Sequence, residues 1–443
     1  MARRRETYVG GGPHKGRIIY GGDKRGIFGS TGRRHMGSQM RIYSKTPRRW
    51  PRIVLIIALV VIFIACVWQF ACGGLPFLKA EEKAESNSGV LAIVIQNIDV
   101  ARQKAGLAGL NGTAQQGLDT QVTISAVGDC TFGKDPDFPD ATSFNAFYQA
   151  NGPAYFFADV LPFTSADNLT IANCEGTFTD SNDIQEKSFN FKAPAEYANV
   201  FVQGSVEAVN LANNHSFDYG TTGYNDTKAA LQNAGITSFG YDRTNTYEVD
   251  GVKIGLFGVN ELDGVEKAQS LMLQDIERLQ KEGCAIIVGT FHWGNEGEYE
   301  VTATQVSLAH QAIDAGCDLV LGSHPHVLQG IEYYKQRYIC YSLGNLCFGG
   351  NTNPMDYRTV IYQQTFPIKN GQIALGEAMR TQARVVPCLV SSSSSVNDYQ
   401  PMPLSGDAAV AAIEALNGYS ATLAGDGAEF STRLDESGYS QVK

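Results

Sequence analysis

Histidine, paired cysteine and charge are all scarce in this chain. Of 443 residues only seven are histidine and 18% are charged, against 43% hydrophobic. So little charge with so much apolar surface excludes an intrinsically disordered protein and leaves enough chain for one large domain with appendages. No two of the nine cysteines form a C-x-x-C pair, and outside the apolar segment holding Cys66 and Cys72 their number is odd. A zinc ribbon and a disulfide scaffold are thereby disfavoured, and most cysteines read as small apolar strand residues. A single bridge between Cys130 and Cys174 stays open. Basic residues are short after position 52, where 21 Lys/Arg (35 − 14) face 43 Asp/Glu (45 − 2), a balance of −22. Residues 1–52 are the reverse, with 14 Lys/Arg against Glu6 and Asp23. That basic lead, with its glycine-rich VGGGP and YGGDKRG, reads as disordered and suits anionic lipid headgroups better than nucleic acid.

Long apolar runs are rare too. Ile53 to Ala71, IVLIIALVVIFIACVWQFA, is 19 residues with no charge and only Gln69 polar. At 1.5 Å per residue it spans about 28 Å, the thickness of a hydrocarbon core. Arg48, Arg49 and Arg52 abut it, so the positive-inside bias predicts a cytoplasmic N-terminus, one crossing of the cell membrane and an extracytoplasmic remainder. The expected order is a basic cytoplasmic segment (1–52), a transmembrane anchor in the lipid bilayer (53–72), a stalk (73–120) and a folded domain (121–390). A linker, a short helix from Ala408 to Leu416 and a loose tail complete the chain (391–443).

From Gln121 onward, apolar runs of strand length alternate with helical stretches, an α/β pattern. Gly223–Ala234 and Thr302–Ala315 read as helices closed by glycine. Asp250-Gly251 and Asn370-Gly371 read as hairpin turns, so mixed sheets are expected, ending in a strand over Val385–Val390. The runs end on polar residues: VTISAVGD on Asp129, LTIANCE on Glu175, VEAVNLANNH on Asn213, Asn214 and His215. AIIVGTFHWGNE brings His292, Trp293 and Glu296, DLVLGSHPH brings His324 and His326, and YICYSLGN brings Ser342 and Asn345. Ligands of open α/β sheets bind beyond the carboxyl ends of strands, where these side chains would converge. Carboxylates, an amide and imidazoles together suit a divalent ion such as Mn²⁺, Fe²⁺ or Zn²⁺, and a carboxylate can bridge two of them. Asn213, Trp293, Glu296, Ser342 and Asn345 are the candidates for substrate contact, with Trp293 equally open to simple packing. His310 lies beside an apolar helical stripe and reads as a packing residue. Pro325 fixes the turn that lets His324 and His326 face one site.

The ordered motifs GDCTFG, NCEGTF, LANNHSFDYG, HWGNEGEY, GSHPHVLQGIE and YSLGN resemble the CapA family of capsule biosynthesis. That family is associated with poly-γ-glutamate synthesis and is similar in fold to calcineurin-like metallophosphoesterases; the resemblance runs from about Val122 to Val390. It implies a four-layer α/β/β/α sandwich with a metal site at the sheet edges, on a protein acting on or near an anionic envelope polymer beside a membrane-bound ligase. Position by position it implies Asp129, Glu175, Asn214, His292, His324 and His326 as metal ligands. Asp129 and His215 are the implied catalytic residues, His215 protonating the leaving oxygen. One departure stands out: Asp129-Cys130-Thr131 lacks the histidine that the phosphoesterases place two residues after the aspartate. One metal position is then short of a ligand, and one firm ion with a weaker second is expected.

Two functions from different classes fit these residues. One is a metal-dependent hydrolase or transferase; the other is a non-catalytic subunit that binds the polymer and aids its synthesis or export.

Overall fold

The computed structural model describes residues 118–443 apart from 242, 394 and 395. The basic segment, the expected anchor and all but the end of the expected stalk lie outside the described residues. Among the described residues no helix is long and apolar enough to cross a membrane.

Two sheets make the frame. In the larger, the long first strand Thr120–Thr131 lies between Arg358–Lys369, antiparallel to it, and Leu169–Cys174, parallel to it. Ala208–Asn210 and Thr237–Phe239 continue the sheet in parallel on one side, and Ala383–Leu389 continues it on the other. The smaller sheet runs Ile331–Tyr334, Arg337–Cys340, Leu319–Ser323, Ile286–His292, Val252–Asn260 and Asn245–Val249. Both hairpin turns form where expected: Val249 pairs with Val252 around Asp250-Gly251, and Lys369 with Gln372 around Asn370-Gly371. All four turn residues have φ between 51° and 76°, the left-handed conformation that Asn, Asp and Gly tolerate.

Strand periodicity sorts the side chains into layers. Ile124, Ile171 and Val360 of the larger sheet share one core with Ile254, Leu256 and Val288 of the smaller, so the sheets pack face to face. The alternate residues face outward onto helices. Val127, Ala172 and Val209 pack with Phe144, Phe201 and Leu231, and Phe257, Ile287 and Val320 pack with Met272, Ile276 and Leu308. Helices, sheet, sheet and helices therefore succeed one another in a mixed α/β fold. Strands covered on both faces explain the nearly unbroken apolar runs. The helix expected over Thr302–Ala315 runs Ala303–Ala315, with Thr302 and Gln305 forming a capping box and Gly316 (φ 111°) closing it.

The C-terminal expectation needs correcting. The helix runs Gly406–Ala421 rather than Ala408–Leu416, and the chain beyond it is built into the larger sheet. Met402–Pro403 and Ser440–Gln441 both pair with Ala383–Leu389, which is thus not the last strand. Phe430 and Val442 are buried in the core between the sheets. With Ala428 and Tyr439 they are scattered too sparsely to leave a periodic trace in a polar sequence, yet their burial helps to hold the tail in place.

Candidate metal centre

Asp129, Glu175, His292, His324 and Asn345 stand at or just past strand ends on one edge of the two sheets, with His326 on the loop after His324. Gly128 lets the first strand approach the chain at Gly344: a Cβ there would sit 2.2 Å from the Gly344 oxygen. Asp129 is thereby registered beside Asn345, its N–H donating to Gly344 O at 2.9 Å. His324 and His326 flank Pro325 with φ of 94° and 56°, a conformation that costs a non-glycine residue about 1–3 kcal/mol and recurs at functional sites. The strained turn brings both imidazoles to Glu175: one ligand atom from each of Glu175, His324 and His326 lies within 4.8 Å of the other two.

Around Glu175 the donors crowd without bonding to it. Its Oε1 is 3.8 Å from His292 Nε2 and 3.9 Å from both His215 Nε2 and His326 Nε2, and the side chain is wholly buried. Neither Glu175 oxygen has a hydrogen-bond partner, nor does Nδ1 of His324. Buried carboxylates and imidazoles are almost always partnered, and an unpaired buried polar group costs about 1–3 kcal/mol, more when charged. A divalent cation among these atoms would satisfy the orphans together. His292 Nε2 and Asn214 Oδ1 are 2.9 Å apart, close to the roughly 3 Å that separates two donors each about 2.1 Å from one ion.

The remaining contacts orient the donors. His292 Nδ1 meets Ser323 Oγ at 3.1 Å, and His326 Nδ1 meets Asn345 Oδ1 at 2.9 Å and Asp129 Oδ2 at 3.2 Å. Such outer contacts fix which ring nitrogen is offered to a metal. Burial, with help from neighbouring imidazoles, holds His292 far below the ordinary histidine range and lowers His324 to about 4. Both rings are then neutral at pH 7, the form that ligates a cation. Glu175 is pushed up by burial and by Asp129, whereas His326 is raised by Glu175 and Asp129 in spite of its own burial. His215 is held differently: Asp218 Oδ2 takes its Nδ1 at 2.8 Å, and Lys187 Nζ lies 2.5 Å from Asp218 Oδ1. Burial lowers His215 against the pull of Asp218.

Residues 123–350, more than half of the chain, match the family described as bacterial capsule synthesis protein PGA_cap. The chain belongs to this family. Among curated relatives of this PGA_cap protein, the capsule biosynthesis protein CapA of Bacillus anthracis is 29% identical over 269 residues, 55% of this chain and 64% of that one. The PGA biosynthesis protein CapA of Bacillus subtilis (strain 168) is 28% identical over 267 residues, covering 55% and 68%. The match thus spans 64% and 68% of the length of these two Bacillus relatives. Among solved structures, a hypothetical protein from Thermus thermophilus aligns with a TM-score of 0.37 at 14% identity, over 60% of this chain and 97% of that one.

Of the residues singled out in this PGA_cap sequence, Asp129, Glu175, Asn214, His215, His292, His324 and His326 come together. Asp129 is already occupied: it accepts from Asn173 Nδ2 at 2.9 Å and from the His324 N–H at 3.2 Å, and it meets His326. Cys130 does not fill the short position, since its buried Sγ turns to Gly128 O and burial raises its pKa far out of range of thiolate chemistry. Thr131, two residues after Asp129, has its hydroxyl buried and unpartnered. Cys130 and Cys174 are register partners but both are free thiols.

Three substrate candidates are instead structural. Trp293 is fully buried in the outer core of the smaller sheet, with Nε1–H donating to Tyr341 O at 2.8 Å. Asn213 is buried and spends its amide on Asn173, Cys174 O and the His215 N–H. Ser342 is buried and donates to Val327 O. Asn345 lines the cleft but is tied to His326 at both ends of its amide, and Glu296 is exposed at the cleft mouth. His310 bonds to Glu332 and stacks on Tyr334, away from the centre. Sequence reasoning missed Asn173 and Asn210, which chain Asp129 to the Asn213 loop, although an asparagine inside an apolar strand run is a visible signal. It missed Lys187 altogether, and no local pattern marks it or Asp218 as a partner of His215.

Proposed function

We propose that this chain is a membrane-anchored, extracytoplasmic accessory protein of poly-γ-glutamate capsule synthesis, with a divalent-metal-dependent hydrolase or transferase centre of metallophosphoesterase type. The anchor is supported by the apolar run at 53–71 behind Arg48, Arg49 and Arg52. The role in capsule synthesis is supported by the family and by its Bacillus relatives, which are named for capsule and PGA biosynthesis.

The observation that carries the metal centre is the Glu175 carboxylate, buried among imidazoles with neither oxygen bonded. The residues fit a Mn²⁺, Fe²⁺ or Zn²⁺ ion held by Glu175, His324 and His326, with His292 and Asn214 adjoining. Such an ion would supply charge for an anionic ester and acidity for a water. His215 has the other half of the chemistry: its ring lines the cleft and Asp218 fixes its Nδ1, so that Nε2, when the ring is protonated, can hand a proton to the leaving oxygen. Lys187 neutralises the second oxygen of Asp218.

One observation favours the non-catalytic reading: with Cys130 turned away and Thr131 in place of histidine, the second metal position is under-supplied. The deciding experiment purifies the full chain, measures bound metal by mass spectrometry, and assays phosphodiester and γ-glutamyl substrates. Catalysis predicts metal lost in His324→Ala, and metal kept with turnover lost in His215→Ala. Metal bound with no turnover on either class makes the chain a polymer-binding scaffold.

A further inference from the structure

A cleft of about 520 Å³ opens directly above the candidate centre, and His215 and His326 form part of its floor. Its walls are mostly aromatic. Phe191 lies 4.5 Å from the His215 ring and Phe348 lies 4.8 Å from the His326 ring, while Phe189 and Phe191 are parallel at 6.4 Å and Phe138 is 6.0 Å from Phe189. The rings form a continuous apolar path from the two histidines to solvent. At its outer end Phe189 is 50% exposed and Met355 68% exposed, so large apolar side chains are held in water on the rim of one cleft.

The charge around the cleft is as telling. None of its described lining residues is Lys or Arg, and the charged side chain at its mouth is Glu296. The ammonium groups beside it are already engaged, Lys187 by Asp218 and Asn214 O, and Lys134 by Asp140 and the carbonyls of Asp135, Pro136 and Phe138. The chain beyond residue 52 carries −22. A polyglutamate chain would bring one carboxylate per unit past Glu296 and meet no cationic side chain along the walls. An apolar group would instead displace water from four phenyl rings, each buried methylene improving affinity about fourfold.

We propose that this cleft is an amphiphile subsite: it accepts a single anionic head at the histidine floor bearing a hydrocarbon or aromatic group along Phe138, Phe189, Phe191 and Phe348, and it disfavours polyanionic chains. The proposal rests on the reading above that the floor holds a cation. Its consequence is that the reacting group enters on a small apolar-bearing ester rather than within a run of γ-linked glutamates.

The test measures binding by calorimetry to the full chain in nanodiscs with Mn²⁺, using non-hydrolysable methylphosphonate, phenylphosphonate and 1-naphthylphosphonate, and a γ-glutamate decamer. Affinity should rise at least tenfold from methyl to naphthyl, with the decamer weakest. Phe189→Ala and Met355→Ala, both exposed and safe for folding, should each remove about threefold or more of the naphthyl advantage and leave methylphosphonate unchanged. Equal affinity for methyl and naphthyl, or a decamer binding as tightly as naphthyl, overturns the subsite while leaving the cation in place. Methylphosphonate binding that is undetectable, or indifferent to chelator, overturns the cation reading and the subsite with it.

Discussion

Replacing Glu175 by glutamine removes one charge and little volume from the place where every donor converges. In chelator the wild-type carboxylate is buried with both oxygens unpaired, so nothing bonded is lost and the variant should melt at or above the wild-type temperature. Metal should separate the two proteins. An ion present at about 100 times its Kd stabilises the folded state by about 2.7 kcal/mol. For roughly 320 described residues at about 2.1 cal/mol/K each, the unfolding entropy is about 0.7 kcal/mol/K, so the wild type should gain about 4 °C. Glu175→Gln should gain less than about 1 °C under the same conditions. Differential scanning calorimetry at pH 7.5 with EDTA, then with Mn²⁺ or Zn²⁺, reads both differences. A variant that keeps the full metal increment, or that loses several degrees in EDTA, would show Glu175 to be a structural anion rather than a ligand.

Further outcomes follow from the same geometry. Asp218→Asn frees His215 and Lys187 together, so kcat should fall about 100-fold or more while bound metal, read by mass spectrometry, is unchanged. Trp293→Phe strips the Tyr341 carbonyl of its donor and opens a void, costing about 2–3 kcal/mol in urea unfolding; a changed KM at unchanged stability would instead mark a substrate platform. Burial raises Asp167 from 3.8 to about 7 despite hydrogen bonds from Ser125 and Thr170. Its folded pKa lies above its unfolded one, so its contribution is complete below pH 4 and is lost as pH climbs toward 7. Asp167→Asn should therefore stabilise by about 1–2 kcal/mol at pH 8 after allowance for solvent screening, and by less at pH 5.

What could be read in advance was set by local chemistry. Strand runs ending on Asp129, Glu175, His292 and His324 were legible because a strand buried on both faces writes an unbroken apolar run and stops at its functional end. The turns at Asp250-Gly251 and Asn370-Gly371 and the cap at Gly316 were legible because positive φ restricts residue choice. Trp293 was not, because one aromatic after a strand suits a core or a cleft equally. The Lys187–Asp218–His215 link joins residues up to 31 apart through a loop with no periodicity, and the tail's order rests on a few scattered buried residues, Ala428, Phe430, Tyr439 and Val442, among polar neighbours. Whether Phe138, Phe189, Phe191 and Phe348 share one wall is likewise decided only by the pairing of distant segments.

The most direct test is an anomalous-difference map from crystals of the protein grown with Mn²⁺ or Zn²⁺. The expected result is a peak within about 2.0–2.3 Å of a Glu175 oxygen and of imidazole nitrogens of His324 and His326. A map with no peak there, in which Glu175 is hydrogen-bonded to water or to a neighbouring side chain, would contradict a cation at the junction of these strands.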